Sequence, residues 1–256
     1  MARIIAVANQ KGGVGKTTTA VNLAAALGVM KKWVLLVDLD PQGNATVGSG
    51  VDPQVLEWTT LEVLLKECRT EDAIIQAEAA GYSLLPATND LVAAEVGLME
   101  GEHRELALSA ALDSVINDYA YIIIDCPPSL NMLTVNALTA ADGVLIPMQC
   151  EYYALEGLAA LVNTIEQVRT RINPRLQIEG LVRTMYDGRN NLANEVSQQL
   201  IEHFGKRVYR TIIPRNVTVA EAPSFGMPVV KYDQRSKGAV AYLSLAGEMV
   251  RRTSSR

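Results

Sequence analysis

The sequence predicts an α/β fold: a mostly parallel, twisted sheet flanked by helices. Three observations carry this. Short runs are apolar almost throughout, as in Ile4-Ile5-Ala6-Val7-Ala8 and Trp33-Val34-Leu35-Leu36-Val37. A strand with one wet face alternates, whereas a strand covered on both faces does not. Helical patterns fall between those runs, joined by short links. Finally, a glycine-rich stretch, QKGGVGKTT at residues 10–18, separates the first strand from the first helix. That is where α/β folds hold phosphate.

The elements follow in order. Ile4–Ala8 is the first strand, and Lys16–Met30, Ala-rich and free of proline, the first helix. Trp33–Val37 is the second strand. Thr59-x-x-Glu62 reads as a capping box ahead of Val63-Leu64-Leu65. Tyr82–Leu85 is a short strand, and Asn89 is placed to cap a helix running through Met99. Tyr121–Ile124 and Gly143–Pro147 are further strands. A 3.6-residue pattern spans Tyr153–Arg171 and stops near Pro174. Leu176–Met185 and Arg207–Ile213 complete the sheet. No repeat or linker interrupts the chain, so one domain over residues 1–256 is expected, with a frayed polar tail at about 251–256.

Composition narrows the function classes. The chain has 256 residues, 49% hydrophobic and 20% charged, with net charge -5. That suits a sizeable core and gives no global attraction to nucleic acid. The 3 cysteines, Cys68, Cys126 and Cys150, lie far apart and form neither a disulfide framework nor a metal-site spacing. No apolar run reaches the roughly 20 residues of a membrane span, and the first strand lacks the pattern of a signal peptide. A reduced, cytoplasmic setting is expected.

In the glycine-rich loop, backbone N–H groups would converge on phosphate, Lys16 would reach the β- and γ-phosphates of a nucleotide, and the Thr17 hydroxyl would ligate Mg²⁺. Two features depart from the G-x-x-x-x-G-K-[ST] spacing. Gln10 stands where a glycine is usual, and Lys11 adds a second cation. Asp38 and Asp40 follow the second strand, in VLLVDLDPQGNAT. Carboxylates at strand ends face the ligand crevice and can hold a water. Asp125 ends the hydrophobic run YIIID, aimed at Mg²⁺ through water.

K-G-G-x-G-K-T-T resembles the deviant Walker A motif of the ParA/MinD ATPases, a SIMIBI-type class of P-loop NTPase. The resemblance covers nearly the whole chain. It implies ATP and Mg²⁺ as cofactors, with Lys11, Gly12, Gly13, Val14, Gly15, Lys16, Thr17 and Thr18 at the phosphates. It implies an ATP-dependent homodimer in which Lys11 reaches the partner's ATP, and in which Gly12 allows backbone to approach backbone. D-x-D-P-Q-x-N is similar to the family's first switch and makes Asp40 catalytic beside Lys11 and Lys16; for Asp38 a purely structural or outer role stays open beside a direct one. D-x-P-P at Asp125–Pro128 resembles the second switch. I-P-R-N implies that Pro214 and Asn216 lie at the adenine.

TMYDGRNNLANEV resembles the segment carrying a DNA-binding arginine in the partition branch. It maps to Arg189, with Arg215 as a second. Between Leu181 and Arg215 the bases are Arg183, Arg189, Lys206, Arg207, Arg210 and Arg215, against Asp187, Glu195 and Glu202. The implied function is ParA-type (Soj-like) chromosome or plasmid segregation. The dimer would bind non-specific double-stranded DNA at the nucleoid, and a ParB-type partner would stimulate hydrolysis and release. The chain begins at its first strand, so sequence-specific operator binding is not expected. A MinD-like membrane switch is the alternative, but no bulky apolar anchor follows Val250, and no membrane partner is expected. An iron-sulfur reductase is disfavoured because Pro128 stands where that branch needs cysteine. A positioner of another cargo stays open.

Overall fold

A computed structural model describes residues 1–99, 103–152 and 154–254. Eight strands form one sheet: β1 Arg3–Val7, β2 Val34–Asp38, β3 Ile75–Ala77, β4 Tyr82–Leu85, β5 Tyr121–Asp125, β6 Gly143–Gln149, β7 Gln177–Tyr186 and β8 Val208–Pro214. Their spatial order is β3-β4-β2-β5-β1-β6-β7-β8. Every pairing is parallel except β3 with β4. The sequence-predicted strands shift by a residue or two at their ends. β3 escaped because three residues carry too little periodicity to register.

The unbroken apolar runs are explained by two cores, one on each sheet face. Successive side chains of a strand point to opposite faces. Ile4, Ala6, Leu35, Val37, Ile122 and Ile124 therefore enter one core. Ile5, Val7, Val34, Leu36, Tyr121 and Ile123 enter the other. The first is roofed by helices Thr60–Leu65, Val92–Met99, Ala107–Leu112, Met132–Ala140, Ala154–Arg171 and Asn191–Phe204. The second lies under helices Lys16–Val29 and Lys237–Ser254. Parallel strands align all their carboxyl ends on one edge, and the loops there gather the motifs.

Local signals hold in places. The Thr59 capping box forms: the Glu62 carboxylate accepts from Thr59 N at 2.8 Å, and Thr59 Oγ1 accepts from Leu61 N at 3.2 Å. Asn89 does not cap its helix. Residues Asn89–Leu91 form a 3₁₀ turn without a side-chain cap, and the α-helix starts at Val92. Tyr153, the expected start of the long helix, lies outside the described residues. The last helix runs through Ser254, so residues 251–254 are ordered helix where a frayed tail was expected. Arg252 explains this. It pairs with Glu248 at 2.7 Å, donates to Val208 O at 3.0 Å and lies 3.9 Å from the Tyr209 ring centroid.

The edge strand β8 depends on that helix. Its pairing with β7 slips between Leu181 and Arg183, so Leu181 faces Val208 whereas Arg183 faces Ile212. Glu248 accepts from the N–H groups of Arg210 and Thr211, both at 2.9 Å. From the other side Arg183 donates to the Tyr209 and Arg210 carbonyls at 2.9 and 3.3 Å. The irregular backbone is thus satisfied by two side chains of opposite charge. Gly180 makes room for it: a Cβ there would lie 2.5 Å from the Tyr209 ring and 2.7 Å from Arg207 O. Gly180→Ala is expected to destabilise the protein by about 1–3 kcal/mol by overpacking. A thermal or urea melt matching wild type would show that β8 relaxes freely.

Candidate functional site

The loop after β1 curls through two left-handed residues, Gly13 (φ 73°) and Gly15 (φ 85°), conformations that favour glycine. Gly15 is the N-cap of the Lys16–Val29 helix, and no side chain caps it. The first-turn N–H groups and the positive helix end face the loop, the arrangement that holds an anion. Val14 is buried, and its carbonyl accepts from the Thr184 hydroxyl on β7 at 2.8 Å. Thr184 is a residue the sequence reading missed, since no spacing ties residue 184 to residue 14. Gly12 is exposed like Gly13, and a Cβ at either meets nothing within 4 Å, but the φ of Gly12 lies outside the left-handed region. Neither backbone strain nor a contact among the described residues requires glycine at position 12.

Lys16 is buried, and its ammonium donates to the Lys11 carbonyl at 3.2 Å. Burial lowers its pKa, while Asp125 and then Asp40 oppose that shift. Two carboxylates, Asp125 and Asp40, act on it, and Asp38 adjoins both. Asp38 and Asp125 stand opposite each other in the β2–β5 register, both wholly buried. Burial pushes the Asp38 carboxyl up to about 7, against the hydrogen bonds it accepts. Those bonds assign it a structural role. Asp38 Oδ2 accepts from Thr46 N and Thr46 Oγ1, both at 2.8 Å, and Thr46 Oγ1 accepts from Ala87 N at 2.9 Å.

Asp40 is held by its neighbours. Its N–H donates to Asp38 Oδ1 at 3.2 Å, and its Oδ1 accepts from Gln42 N at 3.0 Å. Asp125 is different again. Neither of its oxygens has a well-directed hydrogen-bond partner among the described residues, though the half-buried Thr17 hydroxyl lies close by. Burial raises its pKa well above the usual carboxylate range, and Asp38 adds to the rise. An orphaned buried carboxylate beside a hydroxyl suits a hard divalent cation such as Mg²⁺, which takes few protein oxygens. Cys126 is fully buried and its thiol is pushed up by burial, as befits a small apolar residue.

Pro214 ends β8 opposite Tyr186, one strand beyond Thr184 and the loop it supports. Asn216 is partly committed elsewhere: its Oδ1 accepts from Val219 N at 3.2 Å and caps the Val217–Glu221 helix. Its amide NH₂ is not used in that cap.

The basic region does not form one patch. Arg183 is buried in the β8 irregularity, with its guanidinium also donating to Ser197 Oγ at 2.9 Å. Lys206, Arg207 and Arg210 sit at the start of β8, while Arg215 follows its far end. Arg189 and Arg215 come together instead, around Asp187. Arg189 holds Asp187 by two side-chain bonds of 2.9 and 2.7 Å, and the Arg189 and Arg215 charges help pull the Asp187 carboxyl down to about 2. The sequence counted Asp187 as background acid and missed this pairing.

An AAA domain family model matches residues 2–178. The chromosome partitioning protein ParA of Caulobacter vibrioides is 50% identical, over 99% of this chain and 96% of its own length. The sporulation initiation inhibitor protein Soj of Bacillus subtilis is 51% identical, over 97% and 98%. A structure described as cobyrinic acid a,c-diamide synthase from Mycobacterium smegmatis, with bound ATP analogue and magnesium, superposes with TM-score 0.88 at 40% identity. It covers 100% of this chain and 97% of its own.

The chain belongs to the ParA/MinD family of P-loop ATPases.

Membership agrees with the geometry of this ParA/MinD-family loop, where the glycines, Lys16, Thr17 and Asp125 converge at the carboxyl ends of β1 and β5. The buried acids also make a prediction. In the nucleotide-free protein the raised Asp125 carboxyl opposes folding increasingly as pH rises from the ordinary carboxylate range through its folded pKa. Asp125→Asn removes that cost, which is small at pH 5 and larger at pH 8. The variant should gain about 1–3 kcal/mol at pH 8 and less at pH 5. Equal shifts in calorimetric melts at both pH values would contradict the assignment of Asp125 as an uncompensated acid.

Proposed function

We propose that this protein is a ParA-type ATPase for chromosome or plasmid segregation. It binds ATP with Mg²⁺, pairs into a nucleotide-sandwich homodimer, and holds non-specific DNA until hydrolysis, stimulated by a ParB-type partner, releases it. The observation that carries the dimer is Gly12. This exposed glycine, with open space where a Cβ would stand, leaves room for a second backbone to arrive over the loop.

The chain's residues divide the work. Backbone groups around Gly13, Val14 and Gly15 cradle phosphate, with Thr18 at the start of the helix. Lys16 supplies positive charge largely withdrawn from water, where it acts more strongly on phosphate. Thr17 and Asp125 would hold the Mg²⁺, whose chemistry is to neutralise charge on the phosphate oxygens. Asp40, fixed from behind by Asp38 and Thr46, would orient the attacking water. Lys11 would act on the partner's nucleotide. Pro214 and the Asn216 amide would flank the base. Arg189 and Arg215 would contact DNA phosphates, which carry no sequence information.

The Caulobacter relative named for chromosome partitioning is 50% identical to this chain, whereas the mycobacterial structure named as a synthase is 40% identical. The membrane alternative is disfavoured by Arg252, whose contacts dock the end of the last helix on β8. No helix among the described residues is long and apolar enough to cross a membrane.

Lys11→Ala should bind MgATP as a monomer and fail to pair. Sedimentation velocity with ATP checks this, and a normal dimer would remove the cross-subunit role. For DNA, a dimer presents two arginine clusters together, so affinity should rise steeply on pairing. Arg189→Ala should flatten the log-log salt dependence by roughly two units per dimer. Filter binding on random duplex with ATP, ADP and no nucleotide tests it. Equal affinity in all three states, or retention on anionic vesicles instead, favours the membrane or other-cargo reading.

A further inference from the structure

We propose that Glu151 is the positioning residue for Lys11, holding its side chain within the nucleotide-free subunit and so setting the ATP concentration at which two subunits pair. This rests on the sandwich-dimer reading. Lys11 Nζ lies 2.5 Å from Glu151 Oε2. A lysine on a flexible four-carbon stem has many positions open to it, and here one carboxylate selects one of them. Both groups are partly exposed, at 36% and 46% of their side-chain surface, so a competing anion can reach them.

The sheet register brings the two together. Val7 of β1 stands opposite Leu145 of β6. Continuing both chains sets Asn9 against Pro147, where Asn9 Nδ2 donates to Pro147 O at 2.7 Å. Asn9 Oδ1 then accepts from Lys11 N at 3.0 Å. Glu151 N donates to Gln149 O at 2.9 Å, in the turn that follows β6. Backbone and side chain of Lys11 are therefore tied to the same neighbouring strand end.

A second tie links this clamp to the nucleotide site. Lys16 donates to the Lys11 carbonyl at 3.2 Å. Phosphate is a stronger acceptor for a buried ammonium than a peptide carbonyl is. Nucleotide binding would thus draw Lys16 off the Lys11 carbonyl, leaving Asn9 on its backbone N–H and the Glu151 pair as the restraint on its side chain. Asp125 and Asp40 act on Lys16, while the carboxylate paired with Lys11 is Glu151.

The test uses full-length protein and a non-hydrolysable ATP analogue with magnesium, titrated while the dimer fraction is read by sedimentation velocity. Glu151→Gln should lower the midpoint by about two- to five-fold per subunit, the range for an exposed ion pair. Glu151→Asp should fall between Gln and wild type. In nucleotide-free protein, hydrogen exchange at residues 9–13 should quicken in Glu151→Gln but not further in Lys11→Ala/Glu151→Gln than in Lys11→Ala alone. An unchanged or raised midpoint for Glu151→Gln, with Lys11→Ala monomeric, overturns this inference only. Normal pairing by Lys11→Ala overturns the dimer reading beneath it.

Discussion

The site depends on one electrostatic constraint: three acids and one lysine are confined at the carboxyl ends of neighbouring parallel strands. Register sets Asp38 opposite Asp125, and burial denies both the water that would stabilise their charge. Each acid resolves the problem differently. Asp38 is satisfied by Thr46 and becomes a fixture of the loop that carries Asp40. Asp125 is left without a well-directed partner, and Lys16 offers it only partial relief. The strain is local and directed, and a cation between Asp125 and an incoming phosphate would remove it. Binding chemistry and apo instability are two aspects of one arrangement.

The two lysines of the loop divide along the same lines. Lys16 is enclosed by its own subunit, lowered in pKa by burial, and oriented by a carbonyl. Lys11 is half-exposed and held by a carboxylate on the next strand's loop. One cation is thus closed in among its own subunit's groups, and the other stays within reach of solvent and of whatever approaches the loop. Gly12, open on all sides, lies between them.

Charge on the far side of the sheet follows a similar division. Arg183 counts in the sequence toward the basic region, yet with Glu248 it completes the hydrogen bonding of an irregular edge strand. Arg189 and Arg215 stay at the surface around Asp187, a carboxylate that occupies the fork a phosphate would take. A count of basic residues over this segment merges a buried structural arginine with an exposed pair around Asp187.

The sequence by itself determined the α/β class, the order of strands and helices, and the phosphate loop, because each rests on local patterns. Unbroken apolar runs need cover on both faces; a glycine-rich turn before Lys16 and Thr17 needs no distant partner to be recognised. Tertiary structure decided what depends on register and burial: that Asp38 serves Thr46, that Asp125 is orphaned, that Thr184 braces Val14, and that Lys11 is paired with Glu151. Those partners are separated by 8 to 170 positions along the chain. Composition and periodicity record which side chains a segment offers. Only the parallel packing of β1, β5, β6 and β7 determines which of them meet out of reach of water, where a charge must find a counter-charge or remain a binding site.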